Sequence, residues 1–429
     1  VVLTMRPRED RSGVEFGIDT DAKAQGGNAA QRREYDKKLG QGTMSRSGVT
    51  CPCCGTIMTM EDLRLAGRSD RIGAVITTVV VDGASGKEYR LPTTHEIEIA
   101  RSANARIEQV FADVPFGAPT ERLAGADALG FRVPLYGFDC WHKIYSPRQL
   151  VAMGSFVNAV RHARLELSQH GYNAGEIEAL SAYLQCGFDR MLDFNSSILA
   201  WITSVEAIGH TFVRFALPMN WDFSEAAPIN DVRGGWWMCL DAVGESIETI
   251  LRATNSVAPV PKVLNQSAID SPEVGTFDVI VTDPPYYDAI PYSDLMDYFY
   301  VWDRRQLVDL SEAYRAAFAS PLGPKWRNDA NDGELIDDAS RFGGNKQASK
   351  RNYEEGMAKA FKACHTALRP EGRLVIVFAH KHPDAWETLV SAIIKAGFVV
   401  DGSWPIQTEQ AARMRAQGSA ALASSVWLV

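Results

Sequence analysis

Residues 281–295 read VTDPPYYDAIPYSDL, an acid and two prolines set directly behind the apolar run FDVIVT. Four residues here could do chemistry together: Asp283, Pro284, Pro285 and Tyr286. The exocyclic amine of adenine or cytosine is a poor nucleophile, because its lone pair is delocalised into the ring. Methylating it requires the nitrogen to pyramidalise, so that the lone pair points at an electrophilic carbon. A carboxylate accepting one N–H and a backbone carbonyl accepting the other favour that geometry. Asp283 would supply the first acceptor and the Pro284 carbonyl the second, kept in aim because proline fixes φ. Tyr286 would offer a face for the base to stack on, worth roughly 1–3 kcal/mol per base. The sulfonium methyl of S-adenosylmethionine would then need only in-line placement. A target inside a duplex must leave the stack to reach such a corner. The competing view is a Pro-Pro loop with Asp283 as a turn residue and Tyr286 on the surface. A strand before the motif and a helix start after it favour the chemical reading.

The elements around the motif must place it. KVLNQSAI (262–269) and FDVIVTD (277–283) read as strands. Ser293 to Arg305 reads as a helix striped by Leu295, Tyr298, Phe299 and Trp302, with Asp294 and Asp297 in its first turn. A second helix is expected from Tyr353 to Leu368 and a third from Ala385 to Ala396. RLVIVFAH (373–380) is a continuous apolar run, as expected of a strand buried on both faces. FVVDGSWPI (398–406) and SSVWLV (424–429) close the series. This alternation predicts the second half of a doubly wound α/β sheet, where ligands sit at the carboxyl ends of the strands. Ser267-Ala268, the Asp283 loop and His380-Lys381 would share such an end. Ser267 and Ala268 are thus candidates to contact a cofactor's adenine, and Lys381 to meet a phosphate.

Upstream, Ser146-Pro147-Arg148-Gln149 carries a capping residue, proline at the first helical position and Gln at the third. Asn173 and Glu176 mark a second helix start. Residues 146–210 are therefore expected to form a helical subdomain, with the catalytic region at 211–429. Residues 51–145 hold TCPCCG (50–55) and a hairpin in IGAVITTVVVDGASGKEYRLP (72–92), with its turn at Asp82-Gly83. Residues 1–50 are polar and unperiodic, as a linker would be. Cys51 and Cys54 form a knuckle, two thiols three residues apart with Gly55 permitting the tight turn, and zinc is the metal such a pair suits. A closed site needs two more ligands, and no second pair follows; a redox CxxC is the rival.

With 429 residues and 46% hydrophobic content, the chain can bury a large core. No apolar run approaches the ~18 residues that a membrane-spanning helix needs, so no membrane partner is expected. A net charge of −9 argues against a generally basic nucleic-acid coat, though not against a local groove. Seven cysteines without regular spacing suit a reducing cytoplasm. The start lacks an initiator Met and the end stops on an apolar run, so an incomplete chain is expected.

VTDPPYYDAIPYSDLMDYFYVW, FAHKHPDAWETL (378–389), WPIQTE (404–409) and CPCCG together resemble the zinc-ribbon-containing adenine-specific DNA methylases of prokaryotes. ALPMNWDFSEAAP (216–228) and SPRQL (146–150) extend the resemblance, which runs from about Cys51 to the end. It implies a Rossmann-like class I methyltransferase sheet using S-adenosylmethionine on DNA, often found with restriction or phage-defence genes. It also implies Asp283, Pro284, Pro285 and Tyr286 as the catalytic loop, and zinc held by Cys51, Cys54 and a second knuckle upstream.

The chain departs from that family at the cofactor loop as well as in the missing second cysteine pair. Members carry a loop of the form Asp-Pro-Phe-x-Gly-x-Gly that cradles the cofactor. VVVDGASGK (79–87) suits a hairpin better, RGGWW (233–237) has no strand before it, and FGGNK (342–346) lies in a polar loop. A non-catalytic DNA-binding fragment is therefore the alternative from another class. N4-cytosine methylation is the alternative within the same chemistry, since both amines need the same loop. Trp221, Asp222 and Glu225 could border the pocket, or begin an amphipathic helix. Lys325, Arg327, Arg341, Lys346, Lys350 and Arg351 could track a DNA backbone, or belong to a solvated insertion.

Overall fold

The computed structural model describes residues 1–20, 28–128, 130–212, 216–255, 261–264, 266–270, 273–285, 290–325, 333–380, 383–406 and 425–429. They form two compact units: Val1–Ala126 with Phe131–Ile247 and Phe299–Pro321, and Asp127–Gly130 with Glu248–Tyr298 and Leu322–Val429. The fold is mixed α/β, with several small sheets and no closed barrel among the described residues.

The first unit begins where the sequence reads as a linker, and it is not one. β1 (Val2–Pro7) and β2 (Val14–Asp19) pair antiparallel from Val2↔Asp19 to Pro7↔Val14, and α1 (Ala29–Leu39) follows. Leu3 and Met5 of β1 lie opposite Ile18 and Phe16 of β2, so one face of the ribbon is apolar, and VEFGID carries the period-2 alternation of a strand. β3 (Met44–Ser45), β4 (Gly48–Thr50) and β5 (Ile57–Thr59) make a small antiparallel sheet that carries the cysteine knuckle in its β4–β5 turn. The expected hairpin is β6 (Val79–Gly83) with β7 (Gly86–Arg90), but its turn is Ala84-Ser85. Asp82 is instead paired across the ladder with Lys87, to which it is also salt-bridged.

Helices α2 (Met60–Arg68), α3 (Thr94–Ser102) and α4 (Ile107–Phe111) fill the rest of residues 51–145. Thr59 with Asp62 and Thr93 with Glu96 close reciprocal capping boxes at the first two. The helices read from Ser146 and Asn173 are α5 (Pro147–Gln169) and α6 (Ala174–Leu192), each with the expected box. The short pair β8 (Trp201–Ile202) and β9 (Ala207–Ile208) follows. α7 (Trp236–Thr254) and α8 (Tyr292–Leu307) contribute residues to both units, and α9 (Glu312–Ala317) closes the first. The core of this unit gathers on Trp302, which is fully buried and packs edge-on to Tyr145 and Phe188 at 5.5 and 5.9 Å between ring centroids. Its indole N–H donates to the Tyr145 hydroxyl at 3.0 Å, which satisfies the one polar atom of a large apolar side chain.

The second unit is built on one sheet. β10 (Phe277–Thr282) and β11 (Leu368–Phe378) run parallel, while β12 (Ser403–Ile406) and β13 (Ser425–Leu428) are antiparallel neighbours, in the order β10-β11-β13-β12. α10 (Lys346–Ala367) and α11 (Pro383–Lys395) cover one face. Tyr353, Met357 and Phe361 of α10 pack with Leu389 and Ile393 of α11 on Leu374, Ile376 and Phe378 of β11. Each such side chain contributes about 1.5–3 kcal/mol by leaving water.

The sheet differs from expectation at one strand. Residues 262–264 and 266–269 form no strand; Val263 and Leu264 are exposed, and Asp270 N donates to the Ser267 carbonyl in a turn. Among the described residues β10 therefore pairs with β11 alone and leaves Phe277, Val279 and Val281 to solvent. A Rossmann-like sheet remains an expectation from the sequence.

Candidate active site

Backbone bonds to the end of α10 deliver the chain into β10: Gly275 N donates to the Thr366 carbonyl at 2.9 Å and Thr276 N to Ala367 at 2.8 Å. The parallel ladder then sets Val279 opposite Arg373 and Thr282 opposite Ile376. Two prolines cannot extend such a ladder, since neither has an N–H to donate. The strand stops at Thr282, and Asp283 emerges exposed at its carboxyl end with Pro284 and Pro285 half-buried behind it.

These three residues and Tyr292 line a cleft of about 310 Å³. Tyr292 opens α8 and is exposed. Its hydroxyl pKa is pushed up first by burial, then by the negative charges of Asp283 and Glu334. The cleft thus joins a carboxylate, two prolines and an aromatic ring. Tyr353, buried on α10, donates its hydroxyl to the Pro285 carbonyl at 2.6 Å. Thr282 Oγ1, one residue before the acid, is buried without a partner among the described residues. Tyr286 lies outside the described residues.

A polar network holds the start of α8 in place. Glu334 accepts from the Ser293 N–H at 2.9 Å and from its hydroxyl at 2.6 Å. Arg341 bridges Glu334 at 2.7 Å and Asp294 at 3.1 Å. Lys325 donates to Asp297 at 2.8 Å, and Gly323 N donates to the same carboxylate, also at 2.8 Å. Burial raises the Asp297 carboxyl against the opposing pull of Lys325. Lys325 and Arg341 therefore anchor Tyr292's helix and are not free to track a nucleic-acid backbone. Lys346, Lys350 and Arg351 lie on α10, and Arg327 falls outside the described residues.

The remaining expectations divide. His380 shares the carboxyl end of the parallel pair with Asp283, but its carbonyl accepts the Trp386 indole N–H at 2.9 Å and its ring stacks on Phe378. Lys381 lies outside the described residues. Ser267 and Ala268 sit in a turn, not at a strand end, so the structure does not bring them to Asp283 in the way the sequence predicts. Glu225, in the first unit, accepts a two-pronged bond from Arg148 at 3.0 and 2.8 Å. Trp221 packs edge-on to Tyr136, and the Asp222 carbonyl accepts from Asn220. A larger hollow of about 760 Å³, lined by His365, Arg369, Phe398 and Val429 among others, holds none of the residues singled out from sequence.

For a sulfonium cofactor the fit is one-sided. The cleft supplies acceptors and an aromatic face suited to an amine, but no glycine cradle among its four lining residues. For zinc, Cys51 and Cys54 sit on a true knuckle: Cys51 N donates to Thr56 O and Gly55 N to Cys51 O, both at 2.8 Å, with Gly55 at φ +74°. Cys54 Sγ contacts Thr56 Oγ1 at 3.4 Å, and bonds from the Thr56 hydroxyl and backbone lower its thiol pKa. Cys53 turns away and donates to Gly13 O at 3.3 Å. Among the described residues no cluster of three or more metal-ligating His, Cys, Asp or Glu side chains occurs. A closed tetrahedral zinc site takes four ligands, and the knuckle offers two thiols, Cys51 and Cys54.

Tyr292 and Tyr353 were not legible as site residues. Only the Pro291 that precedes it distinguishes Tyr292, and Tyr353 looks like one residue of a helix stripe. No family profile, no curated protein and no solved structure matches the chain.

Proposed function

We propose that this chain carries the target-base half of a DNA methyltransferase that modifies the exocyclic N6 of adenine. The observation that carries the reading is the cleft itself: an exposed carboxylate at the end of a parallel strand, two prolines behind it, and the Tyr292 ring beside them. A flipped base entering this cleft would donate one amine N–H to Asp283 and the other to the Pro284 carbonyl. That pair of acceptors draws the nitrogen out of conjugation and aims its lone pair away from the protein. Asp283 need not be a strong base, because the amine becomes acidic once alkylated. Tyr292 supplies a stacking face that excludes water from one side of the base.

S-adenosylmethionine is the methyl donor implied by the sequence resemblance, and DNA the substrate. The described residues lining the cleft contribute no cradle for the donor. That one-sidedness favours a second reading: a DNA-binding protein that grips a base without transferring a group. N4-cytosine methylation stays within the first reading, since its amine makes the same two bonds. Asp283→Ala separates these possibilities. With labelled S-adenosylmethionine and DNA, the whole protein should yield N6-methyladenine and the variant none. Unchanged methylation in the variant would sink the proposal, N4-methylcytosine would redirect it, and binding without product would favour the second reading.

A further inference from the structure

Two carbonyls follow Asp283, and they are not equivalent. The Pro285 carbonyl is taken: the Tyr353 hydroxyl donates to it at 2.6 Å from inside the protein. Tyr353 itself has little freedom. It is 2% exposed and packs with Met357, Phe361 and Phe378 in the core that α10 and α11 build against β11. The bond spans 68 residues of chain and ties the loop after β10 to a helix on the far side of that strand's connection. A proline fixes φ but not ψ, so a Pro-Pro pair alone leaves the peptide plane after Pro285 free to rotate. A short bond from a buried hydroxyl removes that freedom.

We propose that Tyr353 is a positioning residue: by holding the Pro285 carbonyl it orients the Pro285 peptide, so that the Pro284 carbonyl is the one left open to the substrate amine. This rests on the amine-gripping reading above. Tyr353 touches no substrate; it acts through the backbone that does. Its phenol also satisfies a half-buried carbonyl, which would otherwise turn toward the cleft and compete for the amine. The consequence is a division of labour in which one prolyl carbonyl is structural and the other catalytic.

Tyr353→Phe in the whole protein tests this, because it keeps the ring in the core and deletes only the donor. Two readouts are needed. In methyl transfer, kcat should fall about ten- to hundredfold while KM for DNA and for S-adenosylmethionine stays within about twofold. In hydrogen exchange, peptides covering residues 283–298 should exchange faster than in the parent, with the α10 and α11 peptides unchanged. Exchange that does not change in that loop overturns the proposal whatever the activity. So does a kcat that stays within twofold of the parent. If the parent protein transfers no methyl group but the loop still loosens, the positioning role stands and the proposed reaction falls. If Tyr353→Phe lowers kcat only in proportion to the folded fraction, the hydroxyl is merely structural and the proposal falls.

Discussion

The side-chain amide of Gln185 donates to two carboxyl groups at once, Asp189 at 2.9 Å and Asp303 at 2.6 Å. Two acids so close in a largely enclosed site cannot both ionise cheaply. Burial pushes both upward, and the charge of Asp303 pushes Asp189 further; Asp303 reaches about 6. A carboxyl raised in the folded state favours folding in its protonated form. Its contribution is complete below the ordinary carboxylate range and is lost as pH rises through about 6. The melting temperature should therefore fall between about pH 4 and about pH 7, and Asp303→Asn should flatten that slope and raise stability at pH 8. A slope unchanged by the substitution would show that the pair does not set it.

Arg305 should be the most sensitive charged position. It is fully buried, pairs with Glu121 at 2.9 Å, and donates to the Gly117 and Ala118 carbonyls at 2.6 and 2.8 Å. Removing one partner of such a pair strands the other's charge, at a cost of about 3–5 kcal/mol. Arg305→Ala should lower the denaturant midpoint accordingly, or abolish soluble expression. Arg122→Ala, at an exposed pair with Asp139, should change stability by no more than about 0.5 kcal/mol.

Tyr292 should behave as a base-contacting ring and not as a core residue, because it is exposed beside Asp283. Tyr292→Ala should weaken binding of DNA carrying 2-aminopurine at the target position by about ten- to hundredfold, while Tyr292→Phe retains it. The melting temperature should hardly move in either variant. Equal loss in both variants would assign the effect to the hydroxyl instead.

The thiols should react in an order set by their surroundings. Cys54 is exposed, and bonds from Thr56 hold its thiol below the usual value. Cys239 is buried and pushed up to about 11. Iodoacetamide at neutral pH should label Cys54 first and leave Cys239 untouched until the protein unfolds, as peptide mass spectrometry would show.

What could be read from the chain was what neighbours in sequence decide. Ser146 with Gln149 and Asn173 with Glu176 announced α5 and α6, because a capping box closes within four residues. Thr59 with Asp62 and Thr93 with Glu96 carry the same signal for α2 and α3. The stop at Asp283 was legible because proline ends a ladder by covalent structure alone. KVLNQSAI misled because strand propensity needs a partner, and Val263 and Leu264 found none. For the basic residues near 325–351 the sequence left a DNA track and a solvated insertion open, and the fold gave Lys325 and Arg341 carboxylate partners that sequence distance hid. Tyr353 reaching Pro285 is of the same kind, a contact made by the fold.

The flank of β10 has a cost for the protein as a material. Phe277, Val279 and Val281 point the same way and stay wet, beside a row of backbone donors and acceptors that no described strand engages. A short margin with an exposed apolar row of this kind is adhesive toward its own copies. Concentrating the protein should therefore raise light scattering steeply, and a lysine placed at Val279 should make the solution tolerant of crowding.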